Sequence, residues 1–412
     1  MQHNLSENFK KHPYYTAFQK IAKRLNQSGA VCWLAGGAVR DMLLGRPVND
    51  FDLVTDTNLK DLKSFFPNAV LVGASFGVIK ASETNDENQE VLFDLAVFRK
   101  EYEYQDGRHP SKVTEGTAKE DSFRRDFTIN ALYWDDTNQK IIDYVGGVSD
   151  LQNKLIVAVG DAKERFLEDH LRILRLLRFH VQLGFQMQRE TLHHAVVNVG
   201  LLKKISGERI WEEFKKMARA RNYQAILDNE LGVLVLNEVF EVSIVNKDEL
   251  KSIGQKNDLI EDQSLLLTAF LNFIFVAVGE VDKVRNALQK RLHVSKKELT
   301  QFDRLVRVKT DLQVRTTEEI ILEIEKDLEL LSIFHFLEKL GQFESTKLQD
   351  IENLMNNKQT PVVEPRDIKD WMPAKKMTKA LMEVRLRELQ GAIKSKEQGI
   401  QYLRLWLKRQ SY

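Results

Sequence analysis

LAGGAVRDMLLGRPVNDFDLVT, residues 34–55, is the stretch on which the reading of the chain turns. Trp33 and Leu34 lead into the Gly36-Gly37 pair, and 38–44 carries apolar residues at Val39, Met42 and Leu43, so the pattern predicts strand, glycine turn, helix start. Glycines let backbone N–H groups approach a charged ligand, the first N–H groups of a helix point outward, and Arg40 adds a cation; together they predict a phosphate cradle. After Gly45 and Pro47 the chain turns into Asn49-Asp50-Phe51-Asp52-Leu53-Val54. In a strand, Asp50 and Asp52 share one face while Phe51 and Leu53 take the other. Two carboxylates beside a phosphate cradle suit a hard divalent cation such as Mg²⁺, held jointly by protein carboxylates and substrate phosphates. A glycine pair alone is an ordinary turn and an Asp-x-Asp alone a solvated strand end; their order and spacing set them apart.

Joined in this way, the two features resemble the active-site strands of the nucleotidyltransferase superfamily. Further along, Asp94 stands inside the apolar run Val91-Leu92-Phe93-Asp94-Leu95-Ala96-Val97-Phe98. A carboxylate there needs a partner, either a metal shared with Asp50 and Asp52 or a neighbouring Lys or Arg. Residues 99–116, RKEYEYQDGRHPSKVTEG, show no hydrophobic period and are expected to form a mobile loop. Then comes Arg124-Arg125-Asp126-Phe127-Thr128-Ile129-Asn130-Ala131-Leu132, which is similar to the second motif of the class II tRNA nucleotidyltransferase and bacterial poly(A) polymerase family. Arg124 and Arg125 are candidates for phosphate, and Asp126 and Asn130, four apart, would share a helix face suited to ribose hydroxyls.

The resemblance continues through Asp143-Tyr144-Val145-Gly146-Gly147, similar to a hinge motif, and Glu168-Asp169-His170-Leu171-Arg172, similar to the nucleotide-selecting helix. Ser206-Gly207-Glu208-Arg209-Ile210-Trp211-Glu212-Glu213 resembles the motif that buttresses that helix. The resemblance implies that Gly36, Gly37, Arg40, Arg124, Arg125, Asp126, Asn130, Asp169 and Arg172 bind the nucleotide. It also implies that Asp50 and Asp52 are the catalytic carboxylates around two Mg²⁺, a cage that Asp94 would complete if it is a metal ligand and not an ion-pair partner, and that Glu168, Arg209 and Glu213 support the base-reading helix. On one helix Asp169 and Arg172 would project together and read the Watson-Crick edge.

The 412 residues exceed what one core usually serves. The expected fold is α+β: a small mixed-sheet nucleotidyltransferase head (1–150), then a helical neck (151–220), body (221–355) and tail (356–412). With 43% apolar and 29% charged residues and a net charge of +1, the composition is globular and argues against an overall basic coat. The run 265–278 is apolar all round and belongs in an interior, while 281–292, 296–308 and 316–340 have amphipathic helical patterns. From Trp371 onward ten cations face three acids, with Trp371, Tyr402 and Trp406 interleaved. Lys394, Lys396, Arg404, Lys408 and Arg409 are the candidate RNA contacts, against the plain alternative of a solvated helix pair. The turn before this segment keeps Pro373 but lacks the glycines of its relatives. A single Cys32, an N-terminus without signal-peptide character and no long apolar run predict a soluble protein of the reducing cytoplasm, with no membrane contact and no protein partner implied.

The resemblance implies CCA addition to tRNA 3' ends from CTP and ATP. A-only addition and poly(A) synthesis are the alternatives, and a non-catalytic RNA-binding protein a remote one. Bacterial poly(A) polymerases usually carry a basic element where this chain has Gly73-Ala74-Ser75-Phe76, and CC-adding relatives lack the loop that is long here at 99–116.

Overall fold

The computed structural model describes residues 2–48, 50–72, 77–104, 106–220, 222–242, 265–356 and 360–409. The chain divides into two compact units, 1–242 and 243–412. Residues 73–76, on which the distinction from poly(A) polymerases rests, and 357–359 at the start of the expected tail lie outside the described residues.

The first unit is built on a seven-stranded mixed sheet of order β3-β4-β5-β2-β1-β8-β9. Its strands are β1 (Trp33–Ala35), β2 (Asp52–Thr55), β3 (Val70–Leu71), β4 (Val78–Thr84), β5 (Glu90–Val97), β8 (Leu132–Asp135) and β9 (Lys140–Asp143). The central β1 lies antiparallel to both β2 and β8, and β2 runs parallel to β5. Helix α1 (Gln2–Lys10), which the sequence reading did not anticipate, and α2 (Tyr15–Gln27) cover one side. Ala17, Phe18, Ile21 and Leu25 recur at helical spacing and are the buried residues of α2. Phe9 of α1 reaches Phe18 and Phe51 with ring centroids 4.8 and 6.0 Å apart, and Phe51 meets Phe93 at 6.3 Å. This aromatic cluster anchors the apolar side of the Asp50-Phe51-Asp52 segment, so the carboxylates are left on the open side. Helix α3 (Gly37–Leu43) follows β1 as the hydrophobic pattern predicts, and α4 (Leu59–Phe65) follows β2.

Residues 99–116 are a correction to the expected loop. They form an antiparallel hairpin, β6 (Arg99–Tyr104) and β7 (Pro110–Glu115), with Arg99 opposite Glu115 and Tyr104 opposite Pro110. The pattern hid it because its inner contacts are ionic and aromatic instead of aliphatic: Arg99 donates to Glu101 at 2.8 Å and Lys100 to Glu120 at 2.9 Å. A capping box in which Thr117 and Glu120 bond reciprocally then starts α5 (Ala118–Phe123).

Helices α6 (Gly147–Gln152), α7 (Ala162–Glu168), α8 (Leu171–Leu183), α9 (Arg189–Val197), α10 (Gly207–Ala218) and α11 (Glu230–Phe240) complete this unit. It is helical from 147 onward except for a short parallel pair of strands, β10 (Leu155–Ile156) and β11 (Gln186–Met187). The second unit is helical among its described residues. Leu266–Val278 is its most buried helix, as its all-round apolar sequence requires. The amphipathic run 316–340 is two helices, Thr317–Lys326 and Glu329–Lys339, because Asp327 takes an extended conformation between them. Residues 281–292 likewise divide into Val281–Asn286 and a π turn, Ala287–Arg291. At the end, Ala374–Leu389 and Lys396–Arg409 enclose a small core of Ile368, Met372, Ala380, Val384, Ile393 and Leu403. No helix among the described residues is long and apolar enough to cross a membrane.

Candidate active site

The open side of the sheet, α3, the hairpin and α8 enclose a cavity of about 820 Å³. Gly36, Gly37, Arg40, Asp50, Asp52, Arg124, Arg125, Asp126, Asn130, Asp169 and Arg172 all line it. Residues spread over more than a hundred positions of sequence thus reach one space.

Gly36 ends β1 with φ +68°, a left-handed conformation that excludes most side chains, and a Cβ there would stand 3.0 Å from the Arg125 guanidinium. The glycine turn therefore serves close approach as well as chain reversal. Asp52 pairs in register with Asp94 on β5, and Asp94 in turn with Lys80 on β4. Asp52 is open on its cavity side, but the protein packed around it desolvates the carboxylate; that, with Asp94 and Asp50 nearby, raises its pKa despite the opposing pull of Arg125 and Lys80. Like charges gathered on hard oxygen donors fit a divalent cation. Asp94, however, is engaged by Lys80, whose ammonium lies 2.6 Å from Asp94 Oδ1. The basic-neighbour partner considered for Asp94 is thus present in the structure. Among the described residues no three His, Cys, Asp or Glu side chains converge as a metal cage. Asp50 and Asp52 suit a cation that completes its shell with phosphate and water, the pattern expected of Mg²⁺.

The cations have fixed partners. Arg40, 7% exposed, donates to both oxygens of Asp41 at 3.0 and 2.8 Å and to Asn130 Oδ1, so most of its donors are committed within the protein. Arg124 and Arg125 share one carboxylate, Asp121, which is fully buried. Arg124 reaches Asp121 Oδ1 at 2.9 and 2.6 Å and Arg125 reaches Oδ2 at 3.2 and 3.0 Å, while the Tyr133 hydroxyl donates to Oδ2 at 2.7 Å. Asp121 was missed in the sequence, though its place three and four residues before the two arginines is the helical spacing for such pairs.

Asp126 and Asn130 come together, but not on a helix. Phe127 is extended and Thr128–Asn130 is a single 3-10 turn, across which Asn130 Nδ2 donates to Asp126 Oδ1 at 3.1 Å. Buried Asn130 Oδ1 is already bonded to Arg40, which favours a turn over a free helix face. Arg175 donates to Asp126 Oδ2 at 2.6 Å. Burial alone would raise the Asp126 pKa, but Arg175, Asn130 and the Phe127 N–H outweigh it and hold it at about 2.

Asp169 and Arg172 also line the cavity, from either side of a helix boundary and not from one helix as expected. Asp169 is the extended residue that ends α7, and Arg172 lies in the first turn of α8. The break gives Asp169 a fixed setting: it accepts from the Leu171 N–H at 3.1 Å and from Arg209 at 3.3 Å. Arg172 donates to Glu168 at 2.6 Å, to the Arg165 carbonyl at 3.0 Å and to the Arg124 carbonyl at 2.9 Å. Glu213, 2% exposed, accepts from Arg178 of α8. Glu168, Arg209 and Glu213 therefore all touch this junction or α8. The hairpin tip meets it too, since the His170 N–H donates to the Gly107 carbonyl at 3.1 Å. Arg175 and Arg178, unnamed in the sequence reading, continue the spacing of Arg172 at steps of three among apolar residues, a signal that was available.

In the second unit the tail cations divide. Lys396 is paired with Asp367, and the Arg404 guanidinium lies over the Trp371 ring, 5.6 Å from its centroid. Lys394, Lys408 and Arg409 are exposed.

A mixed sheet with paired carboxylates beside a glycine turn and an arginine-lined cavity defines a nucleotidyltransferase head. In agreement, the family described as "Poly A polymerase head domain" matches residues 32–157, and "Probable RNA and SrmB- binding site of polymerase A" matches residues 184–229. A CCA-adding enzyme of Streptococcus uberis is 31% identical over 349 residues, covering 74% of this chain and 85% of that protein. One from Enterococcus faecalis is 42% identical over 205 residues, 50% of this chain and 49% of that protein. The crystal structure of the Bacillus stearothermophilus CCA-adding enzyme in complex with CTP has the same fold, with a TM-score of 0.74 at 23% identity, covering 97% of this chain and 99% of that one. The chain belongs to the family of CCA-adding enzymes and bacterial poly(A) polymerases.

Proposed function

We propose that the protein adds C, C and A to the 3' end of tRNA without a template, using CTP and ATP. The observation that carries this is the single cavity in which the Asp50 and Asp52 carboxylates, the Arg124-Arg125 pair and the Asp169-Arg172 pair face one another. The S. uberis enzyme that aligns along most of its length is named for the same activity. The reaction class is attack of an RNA 3'-hydroxyl on the α-phosphate of a nucleoside triphosphate, with pyrophosphate leaving.

In this reading Gly36 and Gly37 let the triphosphate approach the backbone, and Arg124 and Arg125 meet its charge from positions fixed by Asp121. Asp126 and Asn130 meet the ribose with the hydrogen-bonding capacity left over from their bonds to Arg175 and Arg40. Asp169 keeps lone pairs beyond those given to Leu171 and Arg209, and accepts the amino group that cytosine and adenine share; Arg172 donates to the neighbouring ring nitrogen. Asp50 and Asp52 would hold Mg²⁺, with Asp94 within reach on the next strand. The cations, when bound, supply activation of the attacking hydroxyl and stabilisation of the leaving group. The division of labour is a catalytic head (1–150), a nucleotide-selecting neck (151–220), a body (221–355) and a tail (356–412) that grips tRNA, in a cytoplasmic protein.

The test is incubation of three transcripts, ending before CCA, after CC, and in an unrelated sequence, with ATP, CTP or both. Completion of the first two and no reaction with the third is expected. Extension of only the CC-ended transcript would assign A-only addition, and long adenylate tracts on the third would assign poly(A) synthesis.

A further inference from the structure

Three neighbouring strands place Lys80, Asp94 and Asp52 in one row. Lys80 pairs in register with Asp94 across β4 and β5, and Asp94 with Asp52 across β5 and β2. Residues directly opposite in a sheet put their side chains on the same face, so the row runs from a cation, through a carboxylate, to the carboxylate pair at the cavity. Lys80 Nζ lies 2.6 Å from Asp94 Oδ1, and both side chains are 43% exposed. An ion pair this open is easily broken, and an ammonium on a flexible four-carbon stem can swing away without disturbing the strand.

We propose that Lys80 is a positioning residue that holds Asp94 away from the Asp50-Asp52 pair, so that the nucleotide-free enzyme offers a divalent cation two carboxylates and releases the third only when Lys80 lets go. The inference rests on the reading of Asp50 and Asp52 as metal ligands. Its consequence is a deliberately weak cation site in the empty enzyme. A cation bound by few carboxylates depends on substrate phosphates for its remaining ligands, so metal and nucleotide arrive together. Lys80 supplies the charge that keeps Asp94 satisfied in the meantime.

The test is Mn²⁺ binding to the full-length, nucleotide-free protein, followed by electron paramagnetic resonance. Lys80→Met removes the ammonium at similar length and should tighten Mn²⁺ binding by about two- to fivefold, the scale of an exposed ion pair. Lys80→Arg keeps the charge and should remain at the wild-type affinity. Asp94→Asn added to Lys80→Met should cancel the gain, because the gain is the freed carboxylate. If Lys80→Met binds Mn²⁺ no more tightly than wild type while Asp52→Asn abolishes binding, the role of Lys80 is overturned and the metal reading stands. A gain that survives Asp94→Asn also overturns it, reducing Lys80 to a distant like charge. Mn²⁺ binding that is indifferent to Asp52→Asn overturns the metal reading and this proposal with it.

Discussion

Asp121 is the point at which a single change should separate folding from nucleotide binding. Its carboxylate is fully buried and receives both Arg124 and Arg125 together with the Tyr133 hydroxyl. Asp121→Asn keeps the shape but removes the charge and turns an amide donor toward a guanidinium. Breaking a buried ion pair by neutralising one partner costs about 3–5 kcal/mol. Here the lower end applies, because Arg124 and Arg125 keep 18% and 16% of their side-chain surface and can draw on water. For a unit of this size, about 3 kcal/mol corresponds to a melting shift of roughly 6–12 °C. Calorimetry of the first unit's transition reads it directly. The same change frees the two arginines from their fixed geometry, and losing the orientation worth one charged hydrogen bond, ~1.5 kcal/mol, should lower kcat/KM for CTP by about tenfold. The pH dependence has a definite sign. Burial alone would raise the Asp121 pKa, but Arg125, Arg124 and Tyr133 hold it well below its ordinary 3.8. A depressed carboxylate stabilises the fold fully above its unfolded value and loses that contribution as pH falls through the folded one. The gap in melting temperature between wild type and Asp121→Asn should therefore be constant from neutral pH down to the ordinary carboxylate range and close only below it. A variant that melts with wild type at neutral pH and keeps its kcat/KM would refute the idea that Asp121 orders the arginine pair.

Asp50→Ala and Asp52→Ala should each abolish incorporation of both C and A while leaving tRNA retention on filters nearly unchanged; residual incorporation would remove that residue from the mechanism. Gly107→Ala should lift the hairpin tip, since its Cβ would overlap the His170 ring at a φ of +70°, and with the tip unseated, or with 104–113 shortened, products resolved on a gel should stall at CC. In the tail, alanine at Lys394, Lys408 and Arg409 should flatten the dependence of log affinity for tRNA on log salt by about 2 to 3 units, at 0.7–0.9 per phosphate contact. Adding Lys396→Ala should change the slope less, because Lys396 is engaged with Asp367. Asp169→Ala should level the specificity constants of the four triphosphates, because a wrong base no longer sets carbonyl oxygen against carboxylate; unchanged ratios would mean that this junction does not read the base.

What the sequence made legible depends on how local the deciding interaction is. The Asp50-Phe51-Asp52 alternation is a period of two with a clear apolar side, and Phe51 and Leu53 are buried where Asp50 and Asp52 are exposed. Asp126 and Asn130 have the right spacing for contact, yet the element is a 3-10 turn, because the partners that shape it, Arg40 and Arg175, come from other helices. The local sequence places Asp169 and Arg172 on one helix because nothing nearby breaks it; at the break Asp169 is held by Arg209, forty positions on, and His170 by the hairpin tip at Gly107. The hairpin itself has no aliphatic alternation to detect, being held by Arg99, Glu101, Lys100 and Glu120. Lys80 beside Asp94 is a register effect, and register is not visible in a single strand.

The near-neutral charge of the chain conceals how the cavity treats a polyanion. Six acidic side chains line it against ten cationic ones, so the local field is positive although the whole protein carries only +1. Three guanidiniums crowd the Phe179 ring, Arg178 at 4.0 Å, Arg40 at 5.1 Å and Arg175 at 5.4 Å. Burial, and then Arg175, push the Arg178 pKa down to about 10, which still leaves it charged at neutral pH. The cluster thus retains repulsion that Asp126, Asp41 and Glu213 offset only in part. Because those same carboxylates hold the guanidiniums in place, a triphosphate bound as proposed would find its counter-charges already oriented and need not rearrange them. A wholly basic surface would attract nucleotide and RNA alike. Under the proposed function, paired arginines inside a cavity would favour a ligand small enough to enter, and the exposed lysines of the tail would be left for the longer polymer.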